Sequence, residues 1–319
     1  MMRGVTIAMG AVALVCASCD GDRTRAGHYW TQLTPATSPP RLTFPKMAHD
    51  SVRERVVVHG AAGSTWEYDG TTWIEAMPSA SPPGRWAFAI AYDAARERIV
   101  LFGGAHLSVP EILADTWEYD GTTWTEATPA ASPSPRTGHA MAYDETRRRL
   151  VLFGGGYSYV GFLDTWEYDG TTWTGMRSDV LPEPVVGHAM AYDAARERVV
   201  LFGGRREDTT LSCGTWEYDG TGWTEVVPDT SPPARFGHAM AYDAARARVV
   251  MFGGQGDRGD LGDTWEYDGT TWTQTADARL VVTSPAARSF HAMAFDSARE
   301  RVVLFGGSDF TDTWEYIGP

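Results

Sequence analysis

The chain has 319 residues, 43% of them hydrophobic and 12% aromatic, which excludes a disordered chain and allows one or two folded domains. Its 41 acidic residues outnumber 27 basic ones for a formal net charge of −14, and so acidic a surface excludes nucleic acid and anionic membranes as expected partners. Two features of the composition stand out: 13 tryptophans, and a single lysine, Lys46.

Residues 1–19 read as a secretory signal. Arg3 precedes an apolar run from Val5 to Val15, shorter than the roughly 20 residues that span a bilayer. The run ends in Cys16-Ala17-Ser18-Cys19, which resembles a bacterial lipobox, with Cys16 standing where leucine is usual. The expectation is an exported chain lipidated at Cys19, held in the cell envelope by that lipid alone, or periplasmic or secreted without it. Residues 20–27 read as a short tether. Lipidation of Cys19 leaves Cys213 as a free thiol in the mature chain, so disulfides do not staple the fold.

From residue 28 onward the chain repeats. Trp-Glu-Tyr begins at Trp66, Trp117, Trp166, Trp216, Trp265 and Trp314, and each copy follows an apolar run ending in glycine, such as Phe153-Gly154-Gly155. Each unit reads as four strands. In the third unit these are A, Gly138 to Tyr143; B, Leu150 to Phe153; C, Thr165 to Tyr168; and D, Thr171 to Thr174. Strands A and B are almost continuously apolar, as strands covered on both faces should be. Asp169-Gly170 reads as a two-residue hairpin turn between C and D, a register that places Trp166 opposite Trp173. Short antiparallel strands at this period predict an all-β, six-bladed propeller occupying residues 28–319.

The motif Arg136-Thr137-Gly138-His139, then Gly154-Gly155, Tyr168 and Trp173, resembles the kelch repeat. The resemblance implies four-stranded antiparallel blades in one ring. Asp-Gly-Thr-Thr-Trp is also similar to the Asp-box of sialidase propellers but lacks a residue between Asp and Gly, so sialidase activity is not carried over. The sixth unit ends without a strand D, whereas His28-Tyr29-Trp30-Thr31 looks like a strand D with nothing before it. The amino-terminal strand is therefore expected to complete the last blade and close the ring.

Alternating strand direction places B–C and D–A loops on one face, with A–B and C–D turns on the other. The A–B turns are uniform: an Asp and an Arg five residues later recur in all six, as in Asp93 and Arg98, and read as local ion pairs. The B–C loops vary, and variable loops on a rigid ring are where binding usually resides. Candidate binding residues are Arg205, Arg206, Glu207 and Asp208 in blade four, with Tyr157, Tyr159 and Phe162 in blade three. Arg85, Arg136, Arg235 and Arg288, at the start of strand A, are candidates for an anion clamp around the channel mouth. The competing reading is a bridge inside each blade to Asp115, Asp164, Asp263 and Asp312. Blade four carries Val185 and Gly214 in place of both partners, and this joint loss favours the bridge.

Arg258-Gly259-Asp260 is short enough to occur by chance. Asp257, Asp260 and Asp263 lack the spacing of a calcium loop, and His139, His188, His238 and His291 read as structural. No metal, cofactor or catalytic residue is expected. The sequence favours a monomeric, non-catalytic module that binds protein or glycan through the variable face. The alternative is a secreted kelch enzyme acting on sugars, of the sugar-acid epimerase or mutarotase type. A galactose-oxidase-like copper enzyme fits less well, because Cys213 has no recognisable copper ligands around it.

Overall fold

The computed structural model describes residues 29–157, 160–183, 185–276 and 284–318, and every regular element among them is a β-strand. Cys19, with the rest of the amino-terminal 28 residues, and Tyr159 lie outside the described residues. Six antiparallel sheets form the blades, each with four strands, and blade two gains the short strand Arg85–Trp86. Blade three runs A, Ala140–Asp144; B, Arg149–Phe153; C, Thr165–Tyr168; D, Trp173–Met176, in that spatial order. The A strands lie against one another around the ring, so they line the central channel and the D strands face outward.

Burial follows the hydrophobic pattern. Leu150, Val151, Leu152 and Phe153 on strand B are fully buried, because neighbouring blades cover both faces of the sheet. One core joins Val151 and Phe153 of blade three to Met190, Leu201 and Trp216 of blade four. Each such side chain contributes on the order of 2 kcal/mol by leaving water.

Two details of the expected strands change. Strand A of blade three starts at Ala140 because Gly138 adopts φ +67. The C–D turn is longer than the two-residue hairpin: Tyr168 pairs with Trp173, and Trp166 faces Gly175. The cause is Asp169, whose carboxylate accepts from the backbone N–H groups of Thr171 and Thr172 at 2.8 and 2.9 Å. That Asx turn holds a four-residue loop, and the aromatic pair becomes Tyr168 stacked on Trp173 with ring centroids 4.9 Å apart. Gly170 takes φ +95, and a Cβ there would lie 2.3 Å from Nε of Arg96 in blade two. Only glycine admits the neighbouring arginine over this turn.

The repeated residues fasten blade to blade. The strand-D indole of Trp173 donates to Thr116 Oγ1 of blade two at 3.0 Å. The same bond recurs around the ring, from Trp73, Trp124, Trp223, Trp272 and Trp30. Glu118 of the Trp-Glu-Tyr motif accepts from Arg96 in its own blade and from the Tyr168 hydroxyl in the next, at 2.6 and 3.0 Å. In the A–B turns the Asp pairs with the Arg three residues on, not five: Arg96 Nε lies 2.8 Å from Asp93. Arg98 instead donates to the carbonyl of Glu97. Closure occurs as the chain ends imply, with Tyr29–Leu33 pairing antiparallel to Thr313–Ile317.

Candidate functional site

The four strand-A arginines are internal struts. Arg136 is completely buried, and its Nη1 and Nη2 each lie 2.7 Å from an oxygen of Asp164. Nη1 also donates to Gly154 O and Nε to Ser134 O. Arg85, Arg235 and Arg288 repeat the arrangement with Asp115, Asp263 and Asp312. Burial pushes the Asp164 carboxyl up, but the hydrogen bonds and charge of Arg136 and the Trp166 indole outweigh it and leave the group below its usual range. These forks are closed to a ligand, which corrects their candidacy as an anion clamp. Leu42 and Ser64 hold the corresponding places in blade one, as Val185 and Gly214 do in blade four, and both aliphatic side chains are buried. Replacing both ions together avoids a stranded buried charge.

The recurrent histidines are also structural. Each lies just before strand A, edge-on to a phenylalanine of the preceding blade, as His188 is to Phe153. Nε2 of His139 donates to the carbonyl of Phe102 at 3.1 Å. The double glycine makes room for them: a Cβ on Gly154 would lie 3.1 Å from Cε1 of His188. At the interface of blades one and two the pair is reversed, with His59 in the phenylalanine place and Phe88 in the histidine place, in the same edge-on contact. Burial lowers His59 and His291 to about 3 and His188 to about 4.

Above these layers the channel opens, on the B–C and D–A face, into a cavity of about 950 Å³. Its rim is set by six equivalent residues with left-handed backbone: Phe44, Ala87, Gly138, Gly187, Gly237 and Phe290, at φ between 47 and 69. Backbone hydrogen bonds link them, Gly138 to Ala87, Gly187 to Gly138, Gly237 to Gly187 and Phe290 to Gly237. Non-glycine residues rarely accept this conformation; here it turns the Phe44 and Phe290 side chains into an aromatic collar. Trp86 and Phe44, Phe44 and Phe290, and Phe290 and Phe236 have centroids 6.1, 5.1 and 5.7 Å apart.

Beside the collar, the apolar B–C segment of blade two is not an open loop. Strands B and C extend to Arg98–His106 and Ile112–Tyr119, and the tip of this hairpin carries exposed Leu107 and Val109. Trp86 and Tyr157 are exposed nearby, and both line the cavity. Arg205 lines it too, its guanidinium 5.0 Å from the Phe236 ring centroid. Arg206 turns away to pair with Glu183, while Glu207 and Asp208 are exposed. Phe162 lies beneath the Arg136 guanidinium, 4.7 Å from ring centroid to Cζ. Cys213 is an exposed free thiol. Asp263 is committed to Arg235, and Asp260 accepts from the Ser308 hydroxyl. Among the described residues no group of three or more His, Cys, Asp or Glu side chains is gathered for a metal ion.

Sequence reasoning missed the collar and the hairpin tip. One signal was available: Trp86 is the one tryptophan outside the repeat positions. Phe44, Phe236 and Phe290 carried none, because their role depends on where six D–A crossings converge.

A ring of six four-stranded antiparallel blades around a central channel defines a β-propeller. The family model described as KLHDC2/KLHL20/DRC7 Kelch-repeats domain matches residues 176–316. The repeat and the six-bladed fold around that segment are of the kelch type. No curated protein matches the chain.

Proposed function

We propose that this chain is an exported, lipid-anchored binding protein, tethered through Cys19, that seats a protein partner on the B–C and D–A face without chemistry of its own. The observation that carries the reading is the apolar mouth, where Trp86, Leu107 and Val109 stand exposed beside a cavity collared by Phe44, Phe236 and Phe290. Clustered exposed apolar side chains on an otherwise charged protein mark interaction surfaces, and aromatic and arginine side chains are the usual anchors. Arg205 over Phe236 supplies such a pair.

Selection of peptides from a displayed library on the purified propeller tests the site. Selected peptides are expected to lose about tenfold or more in affinity on Trp86→Ala or the double change Arg205→Ala, Arg206→Ala. Glu97→Ala, on the opposite face, should leave binding unchanged. Ligands insensitive to the mouth variants would reject the site, and selective binding to a glycan array would replace protein with carbohydrate as the ligand class. Turnover of a sugar acid by the purified chain would reject the non-catalytic reading. Export and anchoring are checked by metabolic labelling with a fatty acid, which Cys19→Ala should abolish.

A further inference from the structure

The only lysine in the sequence stands at the floor of the mouth cavity. Lys46 opens strand A of blade one, Lys46–Asp50, at the place held by Ala89, Ala140, Ala189, Ala239 and Ala292 in the other blades. Five alanines at this level leave the channel open, and one long cationic side chain enters it. Its charge is felt by His139, His188, His238 and His291, which belong to blades three to six. Lys46 and these four histidines line the same cavity, so the side chain from blade one points into the channel.

Nothing among the described residues neutralises this charge. The Lys46 ammonium makes no hydrogen bond or ion pair with any of them. The imidazoles that sense it are neutral near pH 7, being held well below their ordinary pKa by burial. Of the residues lining the cavity, Lys46 and Arg205 are cationic and Glu111 alone is acidic, and Glu111 is exposed on the hairpin of blade two. In a protein of net charge −14 this is a local inversion of sign. Burial pulls the Lys46 pKa below 10.5, the direction expected of a desolvated ammonium with no anion beside it.

We propose that the cavity binds the carboxylate of an organic acid, its anion paired with Lys46 at the channel floor and its apolar body held by the Phe44, Phe290 and Trp86 collar. The inference rests on the mouth cavity being the ligand site. Lys46 and Arg205 set against Glu111 leave one net positive charge on the lining, which favours a monocarboxylate over a phosphate dianion; the collar favours an aromatic or aliphatic body over a small ion. A charge-assisted hydrogen bond in a partly dry site is among the stronger polar contacts.

Calorimetric titration of the whole propeller with 3-phenylpropanoate tests this, with its methyl ester, phenyl phosphate and acetate as comparison probes. The acid should bind, and the ester and acetate should each bind about tenfold or more weakly, the scale of one charged hydrogen bond or one buried ring. Lys46→Ala installs the residue used by the other five blades and should weaken the acid by a similar factor while keeping the thermal melt. Equal affinity for acid and ester would overturn the proposal on the unaltered protein, whether or not the variant folds. So would a folded Lys46→Ala protein that binds the acid as before, tighter binding of phenyl phosphate, or no binding of the acid at millimolar concentration. If the acid fails while peptide ligands still map to Trp86 and Arg205, this inference alone falls; if both fail, the reading of the mouth as the site falls with it.

Discussion

The indole N–H of Trp73 donates to Oγ1 of Thr313 at 2.9 Å, across 240 positions of sequence. Blade one is thereby fastened to blade six by the bond that joins every other neighbouring pair. Trp30 does the same for blades six and five, donating to Thr264 at 2.9 Å, although it comes from the opposite end of the chain. The ring has no structurally distinct seam; its closure is one more copy of the repeat.

Trp30 should therefore be as important as any interior tryptophan. Trp30→Ala removes a buried aromatic side chain and is expected to cost about 3–5 kcal/mol, read from urea unfolding. Deleting residues 29–33 should lower the melting temperature further. An unchanged melt for the deletion would mean that the last blade is stable without its outer strand.

The Arg–Asp struts make a prediction about pairs. Arg235→Val alone strands the largely buried Asp263 carboxylate and should destabilise by about 3–5 kcal/mol. Adding Asp263→Gly reproduces the pair that blade four uses, Val185 and Gly214, and should recover part of that loss. A double variant as unstable as the sum of its single changes would show that the two residues are not coupled.

Acid should destabilise the ring through its histidines. Unfolded imidazoles take up protons near pH 6.5, whereas buried His188 does so at about 4 and His59 and His291 at about 3. The unfolded chain binds more protons in that interval, so stability is fully present above about pH 6.5 and falls as pH drops toward 4, by up to about 1.4 kcal/mol per pH unit for each imidazole. His188→Phe, which copies the ring that Phe88 presents at the interface of blades one and two, should make the decline shallower by one proton. Urea midpoints at pH 7 and pH 5 measure both slopes, and identical slopes would remove His188 from the account.

At the mouth, Ala87 holds φ +55 where blades three to five have glycine. Ala87→Gly relieves a left-handed alanine and should be neutral or stabilising by up to about 1 kcal/mol. Ala140→Gly, within strand A, should destabilise by about 0.5–1 kcal/mol. Thermal melts of the two variants separate backbone strain from general glycine flexibility; similar losses in both would argue against strain at the rim.

Much of the architecture was legible because it is written in copies. Trp-Glu-Tyr, the double glycine and the apolar strand B recur, and each recurrence answers a local need: an interblade bond, room for an imidazole, a sheet covered on both faces. Blade four carries Val185 and Gly214 where four other blades carry Arg and Asp, and that joint loss points to the Arg–Asp strut from the sequence alone. The C–D register was misread because Asp169-Gly170 alone does not reveal that the Asp169 side chain captures the next two N–H groups and lengthens the turn.

The sequence by itself determined the ring, its blade number and the route of its closure, since these depend on periodic burial and on residues interacting with their own copies. Only the tertiary structure decided which surface is distinctive. Phe44, Trp86, Phe236 and Phe290 follow no shared motif, and Lys46 is a single departure from a run of alanines. They form a collar and a charged floor only because six inner strands converge on one axis and bring together side chains from opposite ends of the chain.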